Sequence, residues 1–70
     1  MRLLATLERK GVVVKIYRDV EYNEYNVKLY LLGMFIEDST YFTDDRGDAF
    51  GTADEIFKFY NNQIVVQYDV

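Results

Sequence analysis

The chain has 70 residues, half of them apolar, with seven Tyr, five Phe and no Cys, His, Pro or Trp; eight basic residues against twelve acidic ones leave a net charge of −4. That length allows one domain. The missing thiols and imidazoles exclude disulfide staples, thiolate metal sites and the commonest general base, so stability has to come from apolar packing or self-association.

Charge is unevenly spread. Residues 1–18 hold five basic residues and one acid, whereas residues 19–70 hold three basic residues and eleven acids. Net acidity argues against direct binding to DNA or RNA, which needs a basic face to neutralise phosphates. The apolar start Leu3, Leu4, Ala5 and Leu7 is cut off by Glu8-Arg9-Lys10, too short for the core of a signal peptide. No run approaches the roughly 20 apolar residues that span a bilayer. The expectation is a cytoplasmic protein, active in a host cell, with no membrane association.

The first element predicted is a strand in which Leu3, Ala5 and Leu7 alternate with Arg2, Leu4, Thr6 and Glu8. A turn at Glu8-Arg9-Lys10-Gly11 leads into a second, where Val12, Val14 and Ile16 oppose Val13, Lys15, Tyr17 and Asp19. The polar segment from Asp19 through Glu24 reads as a loop or a long hairpin tip. A third strand sets Tyr25, Val27, Leu29 and Leu31 against Asn26, Lys28, Tyr30 and Leu32, and Gly33 closes a tight turn. A fourth is predicted from Met34 to Phe42, giving a sequential antiparallel meander.

At Thr43 the apolar period changes. Ala49, Phe50, Ala53, Ile56, Phe57 and Tyr60 recur at helical steps. Thr43 or Asp44 is the expected N-cap, and Asp44 and Asp45 suit the positive end of the helix dipole. Thr52-Ala53-Asp54-Glu55 offers a second start, a capping box. The continuous apolar face across Gly51 favours one helix from residue 44 to residue 61, about 27 Å long. Asn61-Asn62 suits a helix exit. Ile64, Val66, Tyr68 and Val70 then alternate as a fifth strand. The fold class that follows is α+β: an antiparallel sheet of four to five strands (ββββαβ) with one helix packed on one face. Ala49, Ala53, Ile56, Phe57 and Tyr60 are expected to meet Val12, Val14, Ile16, Val27 and Leu29.

Chemistry is sparse. Asp44-Asp45-x-x-Asp48 lacks the intermediate ligands of a calcium loop, and Arg46-Gly47-Asp48, an adhesion tripeptide in spelling, falls where a helix opens. Glu37 and Asp38, adjacent on a predicted strand, point to opposite faces. There is no Gly-rich phosphate loop, nucleophile elbow or metal triad. The chain is expected to be no enzyme and to need no cofactor. Two features point to a partner surface instead. One is the acidic stretch between residues 37 and 55, which holds seven of the twelve acids and includes Glu37, Asp38, Asp44, Asp45 and Asp48. The other is a set of tyrosines: Tyr17 and Tyr30 on the sheet face away from the helix, and Tyr22 in the acidic loop.

The passage Thr40-Tyr41-Phe42-Thr43-Asp44-Asp45-Arg46-Gly47-Asp48-Ala49, with Thr52-Ala53, resembles a pattern found in very small proteins of phages and mobile elements. In size, acidity, lack of catalytic residues and sheet-plus-helix layout, the whole chain resembles anti-CRISPR proteins. That resemblance implies a stoichiometric inhibitor that binds a host protein or ribonucleoprotein complex and blocks its access to DNA, acting as a DNA mimic through an acidic surface. These proteins share no motif, so it assigns no role to any residue. The alternative expectation is a self-assembling structural subunit, a homodimer paired through an uncovered sheet face and a C-terminal edge strand.

Overall fold

A computed structural model describes the backbone of residues 1–68 and the side chains of residues 1–62. It has the expected α+β architecture, an antiparallel sheet with one helix on one face. Strands β1 (Arg2–Arg9), β2 (Val12–Asp19) and β3 (Glu24–Leu31) form a meander. Two short strands, β4 (Met34–Phe35) and β5 (Tyr41–Thr43), both pair with β3, and α1 follows over Arg46–Tyr68.

Tight turns set the register. Lys10 and Gly11 lie at φ 51° and 81°, and Leu32 and Gly33 at 52° and 84°. Each pair closes a two-residue hairpin, Arg9 opposite Val12 and Leu31 opposite Met34, whose left-handed geometry matches the twist of the strands. The turns lie side by side, with the Leu32 amide donating to the Gly11 carbonyl at 2.8 Å.

Register then sorts the side chains by period two. Val12, Val14 and Ile16 stand opposite Leu31, Leu29 and Val27. All but Leu31 are buried, together with Ala49 and Ala53 of α1. Ile56, Phe57 and Tyr60 pack against this core as the helical spacing requires, and the two alanines let the helix axis come close to the sheet.

Five details differ from the expected pattern. In β1 the pairing shifts between Leu3, opposite Tyr17, and Ala5, opposite Ile16. Leu4 is the extra residue of a bulge, which turns Leu3 outward and lets Leu4 join Ala5 and Leu7 against the core.

The fourth strand is broken. Phe35 faces Tyr30 and Tyr41 faces Val27, so the edge carries three more residues than β3 opposes. The surplus is taken up by a 3₁₀ turn, Glu37–Ser39, closed by bonds from the Ser39 amide to the Ile36 carbonyl and from the Thr40 amide to the Glu37 carbonyl. Glu37 and Asp38 therefore sit on a turn and not on a strand.

The helix starts two residues later than expected. Its cap is Asp45, whose Oδ1 accepts from the Gly47 amide at 2.9 Å while its carbonyl accepts from the Ala49 amide. Thr43 acts one step upstream: its hydroxyl accepts from the Asp45 amide at 3.2 Å. Asp44 takes no part in the cap, because the chain is still turning there. The helix runs unbroken through Gly51 and Thr52, so the capping box starts nothing.

The helix also does not stop at Asn61. The Asn61 side-chain Nδ2 folds back and donates to the Phe57 carbonyl at 2.8 Å, and the backbone continues as helix. Finally, the strand expected over residues 64–70 is helical as far as Tyr68, and residues 69 and 70 lie outside the described residues. A short apolar run such as Ile64-Val65-Val66 fits either period, and an established helix gains one hydrogen bond per added residue. Among the described residues there is therefore no terminal edge strand for self-pairing. The sheet's long free edge is β1, and pairing two copies about its centre would set Arg2 against Arg9, a like-charge contact.

Candidate partner-binding face and its concavity

The helix covers one side of the sheet only. The other side presents Val13, Lys15 and Tyr17 of β2 and Asn26, Lys28 and Tyr30 of β3, extended by Phe35 of β4 and Phe42 of β5. Among the described residues no helix or strand is packed over it, and only the Met1 side chain reaches onto Asn26. Phe35 is 44% exposed and Phe42 57%.

Lys15 and Lys28 are directly opposed across β2 and β3, a like-charge pair that by itself destabilises a sheet. The two ammonium groups separate by leaning onto different rings. Lys15 Nζ lies 5.1 Å from the Tyr30 ring centre, and Lys28 Nζ lies 5.1 Å from Tyr17 and 5.6 Å from Phe35. Tyr30 and Phe35 are in tilted contact at 5.3 Å. The Tyr30 phenol is pushed above its ordinary pKa, chiefly by burial and then by the neighbouring Tyr17 hydroxyl, against the pull of the two lysines.

Where the edge strand is interrupted, this face sinks into a concavity of about 510 Å³. Its floor is the outward side of β3: Glu24, Asn26 and Lys28. One wall is the broken edge, with Phe35, Glu37, Thr40 and Phe42; the other is the hairpin tip, with Asp19 and Tyr22. The tip is shaped by Asn23 at φ 51° and by a bond from the Tyr22 amide to Asp19 Oδ1 at 3.3 Å. Asn26 is only 3% exposed; its Nδ2 donates to the Met1 sulfur, and its Oδ1 meets no donor among the described residues. Thr40 Oγ1, also buried, has no partner either.

The residues singled out in the sequence do not form one cluster. Tyr17 and Tyr30 share the uncovered face, while Tyr22, 71% exposed, and Glu37 stand on facing walls of the concavity. Asp38 is exposed on the 3₁₀ turn and Asp44 on the approach to α1. Asp45 and Asp48 serve the helix. Besides the Asp45 cap, Asp48 accepts from the Tyr41 hydroxyl at 2.5 Å and from Thr52 at 3.4 Å. These bonds, Tyr41 first, hold the Asp48 carboxyl below its ordinary pKa.

Sequence reasoning missed Asn26, Thr40, Phe35 and Phe42 as members of a site. Asn26 gave no signal, since it stands in phase with Lys28 and Tyr30 on the outward face, and the other three are brought together by the broken edge. No group of three or more acidic side chains is arranged to hold a metal ion among the described residues, and no described helix is long and apolar enough to cross a membrane.

No family model matches the chain, and no similar curated protein or solved structure was found.

Proposed function

We propose that the protein is a non-catalytic binding module of the anti-CRISPR kind: an inhibitor from a phage or mobile element that docks on a host nucleic-acid-handling complex and keeps it from its target. The observation that carries the reading is the uncovered sheet face. Tyr17, Tyr30, Phe35 and Phe42 give rigid aromatic contact area, and the adjoining concavity is lined by Asp19, Glu24 and Glu37. The acidic surface is smaller than the sequence count implies, because Asp45 and Asp48 are occupied at the helix start. Glu37, Asp38 and Asp44 remain exposed for a partner. Charge recognition of this type steers association and weakens as salt rises.

The test is plasmid challenge in hosts carrying active CRISPR effectors, with and without the expressed protein. Protection is expected with one effector class and is expected to be lost in Tyr22→Ser combined with Phe42→Ser, two exposed positions that leave the core intact. Absence of protection across all effector classes would remove the anti-CRISPR reading.

A further inference from the structure

We infer that the concavity receives a guanidinium group, an arginine side chain presented by a basic segment of the partner. This rests on the protein-binding reading above and adds the chemistry that the partner brings.

Four observations converge. Asp19, Glu24 and Glu37 line the concavity, against the single basic side chain Lys28, so the balance of charge is acidic. Lys28 is moreover engaged by the Tyr17 and Phe35 rings. Tyr22, Phe35 and Phe42 supply aromatic faces, which attract cations. Asn26, 3% exposed, lies in the floor with an Oδ1 that meets no donor among the described residues, and the Thr40 hydroxyl of the adjacent wall likewise meets no partner among them. The Met1 sulfur already accepts from Asn26 Nδ2, which leaves Oδ1 as the open acceptor of that side chain.

Anions are disfavoured by the three carboxylates, and a neutral apolar group would leave the buried acceptor unpaired. Between the two biological cations, guanidinium fits better. It is planar, stacks on rings, is weakly hydrated, and offers five donors in fixed directions to several acceptors at once. The protein already makes this arrangement at the same hairpin. Arg18 lies 4.9 Å from the Tyr25 ring centre and donates to the Glu24 carbonyl at 3.2 Å and to Asn23 Oδ1 at 2.6 Å.

The experiment is an amide-resolved NMR titration of the full chain with a terminally blocked Gly-Arg-Gly peptide, with the same peptide carrying citrulline or lysine, and with a short oligothymidine. Saturable shifts are expected at Tyr22, Thr40, Phe42 and the Asn26 side-chain amide. Citrulline, neutral and of the same shape, is expected to bind at least about tenfold more weakly, a difference of about 1.4 kcal/mol. Glu24→Gln with Glu37→Gln is expected to weaken the arginine peptide severalfold while the spectrum stays folded, and Lys28→Gln to tighten it. Equal binding of citrulline overturns the inference. So do shifts spread over Asp44, Asp54 and Glu55, or an oligothymidine response at these amides with none from the arginine peptide. Protection in plasmid challenge without peptide binding would sink this inference alone; peptide binding without protection would leave it standing and sink the anti-CRISPR reading.

Discussion

The Tyr41 hydroxyl donates to the Asp48 carboxylate at 2.5 Å, tying the last strand of the sheet to the first turn of the helix. The same bond raises the Tyr41 phenol pKa above its ordinary 10.0 and lowers that of Asp48 below its ordinary 3.8. A depressed carboxyl contributes stability above its unfolded pKa that is lost as pH falls through the folded value. A raised phenol contributes stability below its unfolded pKa that is lost as pH rises through the folded value. Tyr41→Phe and Asp48→Asn each remove this bond and one of its two titrating groups, so each is expected to flatten both the acid and the alkaline limb of the stability–pH curve. Carbon-detected NMR titration of the Asp48 carboxyl in Tyr41→Phe checks the cause: its pKa should move back up towards 3.8.

Leu32 sits at φ 52° with 84% of its surface exposed, in the first position of the turn that joins β3 to β4. Its side chain only leans over Gly11 of the neighbouring turn, and a branched apolar residue is strained in left-handed geometry. Leu32→Asn makes the Asn-Gly pair that this turn prefers. It is expected to stabilise the fold by about 1 kcal/mol, since a left-handed conformation costs roughly 1–2 kcal/mol in an ordinary residue. Urea denaturation with an unchanged m-value checks it.

Gly51 lies inside α1 with open space where a Cβ would stand. Gly51→Ala removes backbone freedom from the unfolded chain without a clash, and a gain of about 0.5–1 kcal/mol is expected. Thermal unfolding should move up by about 4–8 °C per kcal/mol for a domain of this size.

Leu29 is fully buried between the flanking valines and the helix. Leu29→Ala is expected to cost about 2–5 kcal/mol, much of the whole stability of so small a domain. Phe59, 54% exposed and off the helix's apolar stripe, is the control: Phe59→Ala should stay under about 1 kcal/mol. Circular dichroism at 25 °C should show the first variant partly unfolded and the second native.

The core could be read from the chain because both of its periods are long. Val12-Val14-Ile16, Val27-Leu29 and Ala49-Ala53-Ile56-Phe57-Tyr60 each repeat often enough to name a face. What escaped was local. The bulge at Leu4 and the surplus at Glu37–Ser39 depend on how neighbouring strands register, which no single segment encodes. The cap fell on Asp45 and not on Thr43 or Asp44: of these three successive oxygen-bearing residues, the Thr43 hydroxyl takes the Asp45 amide and Asp45 Oδ1 takes the Gly47 amide. The end of the chain was misread because Ile64-Val65-Val66 is too short for its pattern to favour either element. The partner face was half visible: Tyr17 and Tyr30 followed from alternation, but the concavity needed the broken edge, and its buried amide needed Met1, 25 residues away along the chain.

That broken edge has a consequence for solubility. An intact strand from Met34 to Thr43 would offer incoming chains an uninterrupted ladder of amides and carbonyls, the usual template for fibril growth. Two stubs of two and three residues, separated by a coil bearing Glu37 and Asp38, give an incoming strand too little length to hold and two negative charges to overcome.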